Sequence, residues 1–300
     1  MFENLFGAYE KLKDYWEAKL VTPDWTNYNY WILDELHRPN FNDKNYLWCP
    51  TLANMTYNNP ELVMSTVPEP LTELVVKLGM QESVKRLLVP VDSGGATRTN
   101  FMGMETSSDI VFKVFQWLQF VAAMKLPKNK VSSVVEFGGG YGTMAMVVMR
   151  YMPHVMYTII DTPLMLSVAY EHLSTVFPAN QLQLITEDTP FVHGINFVPI
   201  GLFDRMPGNA DVFIALASLC EAPDLVVNMV ADTEWFGAKY GLVSFWNHEL
   251  MEKLINKDNM NTKYHPSETF QGHRYVNFQR KQITASKVSK SSKAAKAAKA

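Results

Sequence analysis

The segment Val134-Val135-Glu136-Phe137-Gly138-Gly139-Gly140-Tyr141-Gly142, paired with a second apolar run, constrains this chain most. Nineteen positions after the last glycine, that run, Tyr157-Thr158-Ile159-Ile160, closes on Asp161. An apolar run that ends in a carboxylate, turns through glycines and enters the helix-like Met144–Arg150 reads as strand, turn and helix. The second apolar run completes a βαβ unit. Glycines in such a turn let backbone N–H groups approach a ligand at the start of the helix. In that geometry Asp161 would reach the paired hydroxyls of a ribose from the carboxyl end of its strand.

The glycine register separates two ligand classes. A dinucleotide fingerprint G-x-G-x-x-G begun at Gly138 needs a small third residue at Thr143, and begun at Gly140 it leaves extra residues in a turn that is normally tight. The pattern acid-x-G-x-G-x-G is complete at Glu136, Gly138, Gly140 and Gly142. It resembles the first motif of class I S-adenosylmethionine-dependent methyltransferases. That resemblance implies S-adenosyl-L-methionine as cofactor and an α/β fold, a Rossmann-like doubly wound, mostly parallel seven-stranded sheet. It further implies that Glu136 orders the loop and faces the methionine amino group. Gly138, Gly139, Gly140, Tyr141 and Gly142 would pass beside the methionine and ribose, with Asp161 and Thr162 at the ribose.

Composition adds limits rather than identity. A chain of 300 residues with 47% hydrophobic content can bury a large core. The formal charge of −3 offers no basic face for nucleic acid, and no apolar run reaches the ~20 residues of a membrane span. Only Cys49 and Cys220 are present, without C-x-x-C or clustered histidines, so neither a disulfide framework nor a metal site is expected. The amino terminus lacks a secretory pattern, and a cytoplasmic enzyme is the expectation. Homo-oligomerisation stays open.

Three regions differ in texture. Residues 1–106 are rich in Trp, Tyr, Pro and Asn and read as an α-rich extension or cap, with helices expected over Leu5–Leu20, Tyr28–Leu36, Pro60–Met64 and Pro70–Leu88. The polar, Gly-rich stretch Val91–Asn100 is either a binding loop or a connector. Residues 107–280 alternate strands and helices, as a doubly wound domain would. Strands are expected at Ser133–Phe137, Met156–Asp161, Asp211–Ala217, Gly241–Trp246 and Arg274–Gln279, with the third at Gln183–Thr186 or Ile195–Pro199. Residues 281–300 turn to Lys, Ala and Ser and read as a tail without enough apolar mass to order.

In an open sheet the ligand lies at the carboxyl ends of the strands, so the loops after residues 137, 161, 217 and 246 should converge. Ser218 and Glu221 could face substrate there, or form a capping box before a helix. His248 could take the proton from an acceptor hydroxyl, or serve as a hydrogen-bonded structural group. Asp188 is a candidate adenine contact if the third strand is Gln183–Thr186. If it is Ile195–Pro199, Ile200-Gly201-Leu202 lines the adenine instead.

The loop Glu-Phe-Gly-Gly-Gly-Tyr-Gly, the continuation Ile160-Asp161-Thr162-Pro163 and the element Ser218-Leu219-Cys220-Glu221-Ala222-Pro223 together resemble the sugar O-methyltransferase group within class I, although Ala222 stands where that group carries methionine. The resemblance implies an O-methyltransferase acting on a small-molecule or glycan acceptor. Trp25, Trp31 and Trp48 could stack a sugar ring, with Arg98 or Glu105 on its hydroxyls, or they could simply pack and pair. Methylation of another acceptor, or a non-catalytic binding module that keeps the fold, are the alternatives.

Overall fold

The computed structural model describes residues 3–42, 44–55, 60–246, 248–256, 260–266 and 273–280. The tail expected over 281–300 lies outside the described residues. The first helix, α1 (Glu3–Leu12), is shorter than its apolar stripe suggests. Beyond it the chain tightens into 3₁₀ turns at Lys13–Tyr15 and Ala18–Leu20. In that stretch the Tyr15 carbonyl lies so close to Gly201 that a β-carbon there would sit 2.3 Å from it. Helix α2 (Pro23–Leu36) starts where Thr22 accepts from the Trp25 N–H at 3.5 Å and Pro23 occupies the first turn. Then come α3 (Pro50–Met55), α4 (Pro60–Thr66), α5 (Pro68–Lys77) and α6 (Val84–Leu87). Gly79, at φ +64°, separates the last two, so the stretch Pro70–Leu88 is two helices rather than one.

Strands β1 (Arg98–Phe101) and β2 (Met104–Ser107) form a hairpin whose two-residue turn has Met102 and Gly103 at positive φ. The expected loop over 91–100 therefore ends in a strand. Helix α7 (Ser108–Met124) comes directly after it, capped by the Ser107 hydroxyl accepting from the Ile110 N–H at 3.3 Å.

The remaining elements are β3 (Ser133–Phe137), α8 (Thr143–Tyr151), β4 (Met156–Asp161), α9 (Pro163–Ser174), β5 (Leu182–Leu184), β6 (Ile195–Pro199), β7 (Val212–Leu216), α10 (Asp224–Asp232), β8 (Tyr240–Trp246), α11 (Glu249–Ile255), β9 (Met260–Pro266) and β10 (His273–Arg280). They build one eight-stranded sheet in the order β5-β6-β4-β3-β7-β8-β10-β9, parallel from β5 through β8, with β10 antiparallel to both neighbours. This is one strand more than the expected seven. Both candidates for the third strand pair, β6 against β4 and the short β5 outside it, and β9 has no counterpart among the strands expected from the sequence.

The chain leaves β3 towards one edge through β4 and β6, then returns to lay β7 on the other side of β3. This reversal is the topological switch point of the sheet, and the loops after β3 and β7 meet there. All five residues of β3 are buried because both faces are covered. Val134 packs in a cluster with α7 and α8, whereas Val135 packs in one with α10 and α11. Residues 3–106 are anchored to this core, for instance by the Leu5 N–H donating to the Glu171 carboxylate of α9 at 2.9 Å.

At the opposite end of the sheet, Asp211 pins three strands. Its carboxylate accepts from the Ser132 N–H and O–H, both at 2.7 Å, and from the Lys239 ammonium at 2.6 Å. Burial by itself would raise its pKa, but Lys239 and the Ser132 donors outweigh burial and hold it below the usual range. A depressed folded-state pKa contributes stability above the unfolded value of ~3.9, which is lost as pH falls through the folded value. Asp211→Ala should therefore lower the unfolding free energy by ~1–3 kcal/mol at pH 7 in urea titrations, and the deficit should shrink below about pH 4. Equal midpoints at pH 7 would contradict this role.

Candidate cofactor site

The glycine loop rests on a buried acid. Glu136, 2% exposed at the end of β3, accepts the Tyr157 hydroxyl at 2.8 Å. Burial raises its pKa to about 7 against the opposing pull of that hydroxyl and of the Lys113 charge, and the Asp161 charge adds to the rise. The loop lies directly over it: a β-carbon at Gly139 would come 3.4 Å from Glu136 Oε2 and 2.5 Å from Ile159. Gly138, at φ +75°, donates its N–H to the Ile160 carbonyl at 2.8 Å and meets Ser218 so closely that a β-carbon would stand 2.0 Å from the serine Cβ. Gly140, at φ +55°, faces open space, with nothing within 4 Å of where its β-carbon would be. The loop is thus held from below and accessible from above.

Asp161 closes the neighbouring strand and is half-buried. Burial raises its pKa to about 7 and the Glu221 charge adds to this, while the N–H groups of Thr162, Gly140 and Gly139 pull it down. The Thr162 N–H donates to Asp161 Oδ1 at 2.7 Å. Thr162 sits at the N-cap of α9 without capping it. Its hydroxyl instead donates to Asn29 Oδ1 of α2 at 2.9 Å.

Ser218 and Glu221 do reach this end of the sheet, but not as a capping box: the serine makes no cap hydrogen bond and donates to the Phe137 carbonyl. It fastens the loop after β7 to the end of β3. Glu221 accepts the Trp25 indole N–H at 3.1 Å, and burial raises its pKa. Helix α2 therefore touches the loops after both β4 and β7, a link that no local sequence signal announced.

His248 caps α11, its Nδ1 accepting the Met251 N–H at 3.4 Å, while Nε2 lies 4.0 Å from Asp224 Oδ1. Accepting at Nδ1 leaves the proton of the neutral ring on Nε2, so in this arrangement the ring offers no lone pair to a substrate. The ring thus acts as the N-cap acceptor of α11. Asp188 is exposed in the turn after the edge strand β5, and β6 separates β5 from β4. The loop beside Asp161 is therefore Ile200-Gly201-Leu202, with Ile200 and Leu202 buried. Arg98 is bound to Asp92 at 2.6 Å, with Glu105 further away at 3.9 Å. Trp31 and Trp48 are exposed.

Tyr141 is engaged by helices outside the loop. Its hydroxyl donates to Asp109 in the first turn of α7, and its ring meets His172 edge-on at 5.0 Å. Burial lowers the pKa of His172 to about 4, so the ring is neutral near pH 7. Asp109 and His172 are invisible as partners in the sequence because they stand 32 and 31 positions from Tyr141 without a shared motif.

No family model matches the chain, and no curated protein matches it. Among solved structures, it is similar to the mitomycin 7-O-methyltransferase MmcR at 16% identity, covering 58% of this chain and 57% of that one, TM-score 0.39. It is similar to the CurJ carbon methyltransferase at 13% identity, covering 58% and 55%, TM-score 0.42. A third is magnesium protoporphyrin IX methyltransferase from Synechocystis PCC 6803 with bound SAH, at 14% identity, covering 69% and 97%, TM-score 0.42. The chain spans little more than half the length of the first two. The site rests on its own geometry.

Two glycines of the loop should respond differently to one added methyl group. Gly140→Ala meets only the backbone cost of a left-handed conformation, ~1–2 kcal/mol. Gly138→Ala must also displace the loop carrying Ser218, and should cost at least ~2 kcal/mol more. Denaturant unfolding of the two variants measures the difference, and equal losses would refute the close approach.

Proposed function

We propose that the protein is an S-adenosylmethionine-dependent methyltransferase acting on a hydroxyl group, with a sugar or glycan as the acceptor. The observation that carries this reading is the pair of acids, Glu136 and Asp161, closing neighbouring strands around a loop whose Gly140 faces open space. Above about pH 7 these acids hold negative charge beneath and beside the loop. A ligand bearing a sulfonium and an ammonium group suits such a site, whereas the diphosphate of a dinucleotide would meet repulsion there.

In this reading Asp161 holds the ribose hydroxyls, sharing with them the loop N–H groups that it now accepts from. Glu136 orders the loop from underneath, and Thr162 and Ser218 fix the neighbouring turns. When bound, the cofactor supplies a methyl group already activated for transfer. The chain is left to align the acceptor hydroxyl and to take up one proton. That proton is not assigned to His248, whose ring is engaged in capping. Residues 1–106 act as a cap on the 107–280 domain, through α2. Methylation of another class of small molecule is the nearest alternative.

Calorimetric titration with S-adenosylmethionine, S-adenosylhomocysteine and NAD in parallel tests the assignment. Micromolar binding of the first two and none of NAD is expected; binding of NAD alone, or of none, would overturn it and favour a binding module. Asp161→Ala should weaken S-adenosylmethionine binding by ~1–3 kcal/mol, roughly 5- to 150-fold. The pH dependence has a definite sign. Both raised carboxyls are protonated below about pH 7, and a cationic ligand favours their charged forms, so affinity should rise from pH 6 to pH 8 with protons released on binding. Titrations in buffers of different ionisation enthalpy read the release, and a flat profile with none would count against both acids.

A further inference from the structure

We infer that the acceptor is a neutral, hydroxyl-bearing ring compound held in the cavity beside Tyr141, and not a phosphorylated or nucleotide-linked sugar; this rests on the methyl-transfer reading. A cavity of about 400 Å³ opens between the turn carrying Trp48, the Gly95–Thr97 loop and the amino end of α7, with Tyr141 in its wall. Its size falls within the ~300–1,000 Å³ usual for small-molecule sites. Tyr141 adjoins Gly140, the glycine that faces open space, so the cavity and the cofactor loop share one wall.

The chemistry of the lining selects the ligand. Trp48 stands 64% exposed at the cavity with its indole N–H tied to the Gly95 carbonyl, a fixed aromatic surface for the apolar face of a ring. The lining also includes Ser107, Ser108 and the Asp109–Tyr141 pair, groups of the kind that hydrogen-bond hydroxyls. Among the described lining residues Asp109 carries the only formal charge, and no Lys or Arg is present. Arg98, next in sequence to the lining residue Thr97, is committed to Asp92 and to the Val91 carbonyl. The positive end of α7 is already answered by the Ser107 cap and by Asp109 in its first turn. A phosphate entering here would meet no cation among the described lining residues.

Saturation-transfer NMR on the full chain, with S-adenosylhomocysteine present, tests this with the methyl glycosides of glucose, galactose, mannose and rhamnose beside the corresponding 1-phosphates. At least one methyl glycoside should give signal and its 1-phosphate none. That signal should fall at least fivefold in Trp48→Ala and in Thr97→Trp, which places an indole in the cavity from an exposed position. Calorimetric affinity for S-adenosylhomocysteine should stay within twofold in both variants, which also reports that they fold. Preferred binding of the phosphates, no signal from any glycoside, or a glycoside signal indifferent to both substitutions would each overturn the inference. Wild-type protein that binds S-adenosylhomocysteine but no glycoside sinks this inference alone. Protein that binds a glycoside through Trp48 but not S-adenosylhomocysteine sinks the methyl-transfer reading and leaves the cavity assignment standing.

Discussion

Two carboxylates at the ends of adjacent parallel strands are the constraint around which this end of the molecule is arranged. Burial raises the pKa of both Glu136 and Asp161, and the charge of the second raises that of the first further. Such a pair is tolerable only where donors converge on it. Tyr157 supplies one from within the sheet. The glycine loop supplies others, and its backbone must fold into positive φ to do so. The absence of side chains at 138 and 139 is then a matter of space as much as of conformation, because Ser218 and Ile159 occupy the volume that β-carbons would need.

Much of this is legible in the sequence because the signals are local. A strand ending in an acid, a run of glycines and a second strand ending in an acid fall within about thirty residues, and apolar periodicity marks the helices between the strands. The third strand is ambiguous for a physical reason: two short apolar runs both find partners. Where sequence offers two meanings, geometry chooses between them. The Ser-x-x-Glu spacing at 218–221 suggests a cap, but the short helix there leaves both side chains to longer-range partners, Phe137 and Trp25. At His248 the ring supplies the acceptor that a helix start needs. Contacts between α2 and the site, and between Tyr141 and Asp109, span too much chain for any window of sequence to display.

Helix α2 gives the site its second layer. Asn29 accepts from Thr162 on one loop while Trp25 donates to Glu221 on another, and the Asn29 amide donates to the Trp25 carbonyl at 2.7 Å. The loops after β4 and β7 are therefore held by one rigid segment rather than each by itself. Side chains on a helix are positioned more sharply than those on loops, and coupling through Asn29 and Trp25 makes displacement of either loop felt by the other.

The sequence distances of these bonds set a schedule for biosynthesis. Thr162 lies 133 positions beyond Asn29, and Glu221 lies 196 beyond Trp25. At ~5–20 residues per second, α2 leaves the ribosome roughly 10–40 seconds before the second of its partners exists. Throughout that interval the Trp25 indole has no Glu221 to receive its N–H, and the layer that α2 forms over the site can be completed only after the loop beyond β7 has been made.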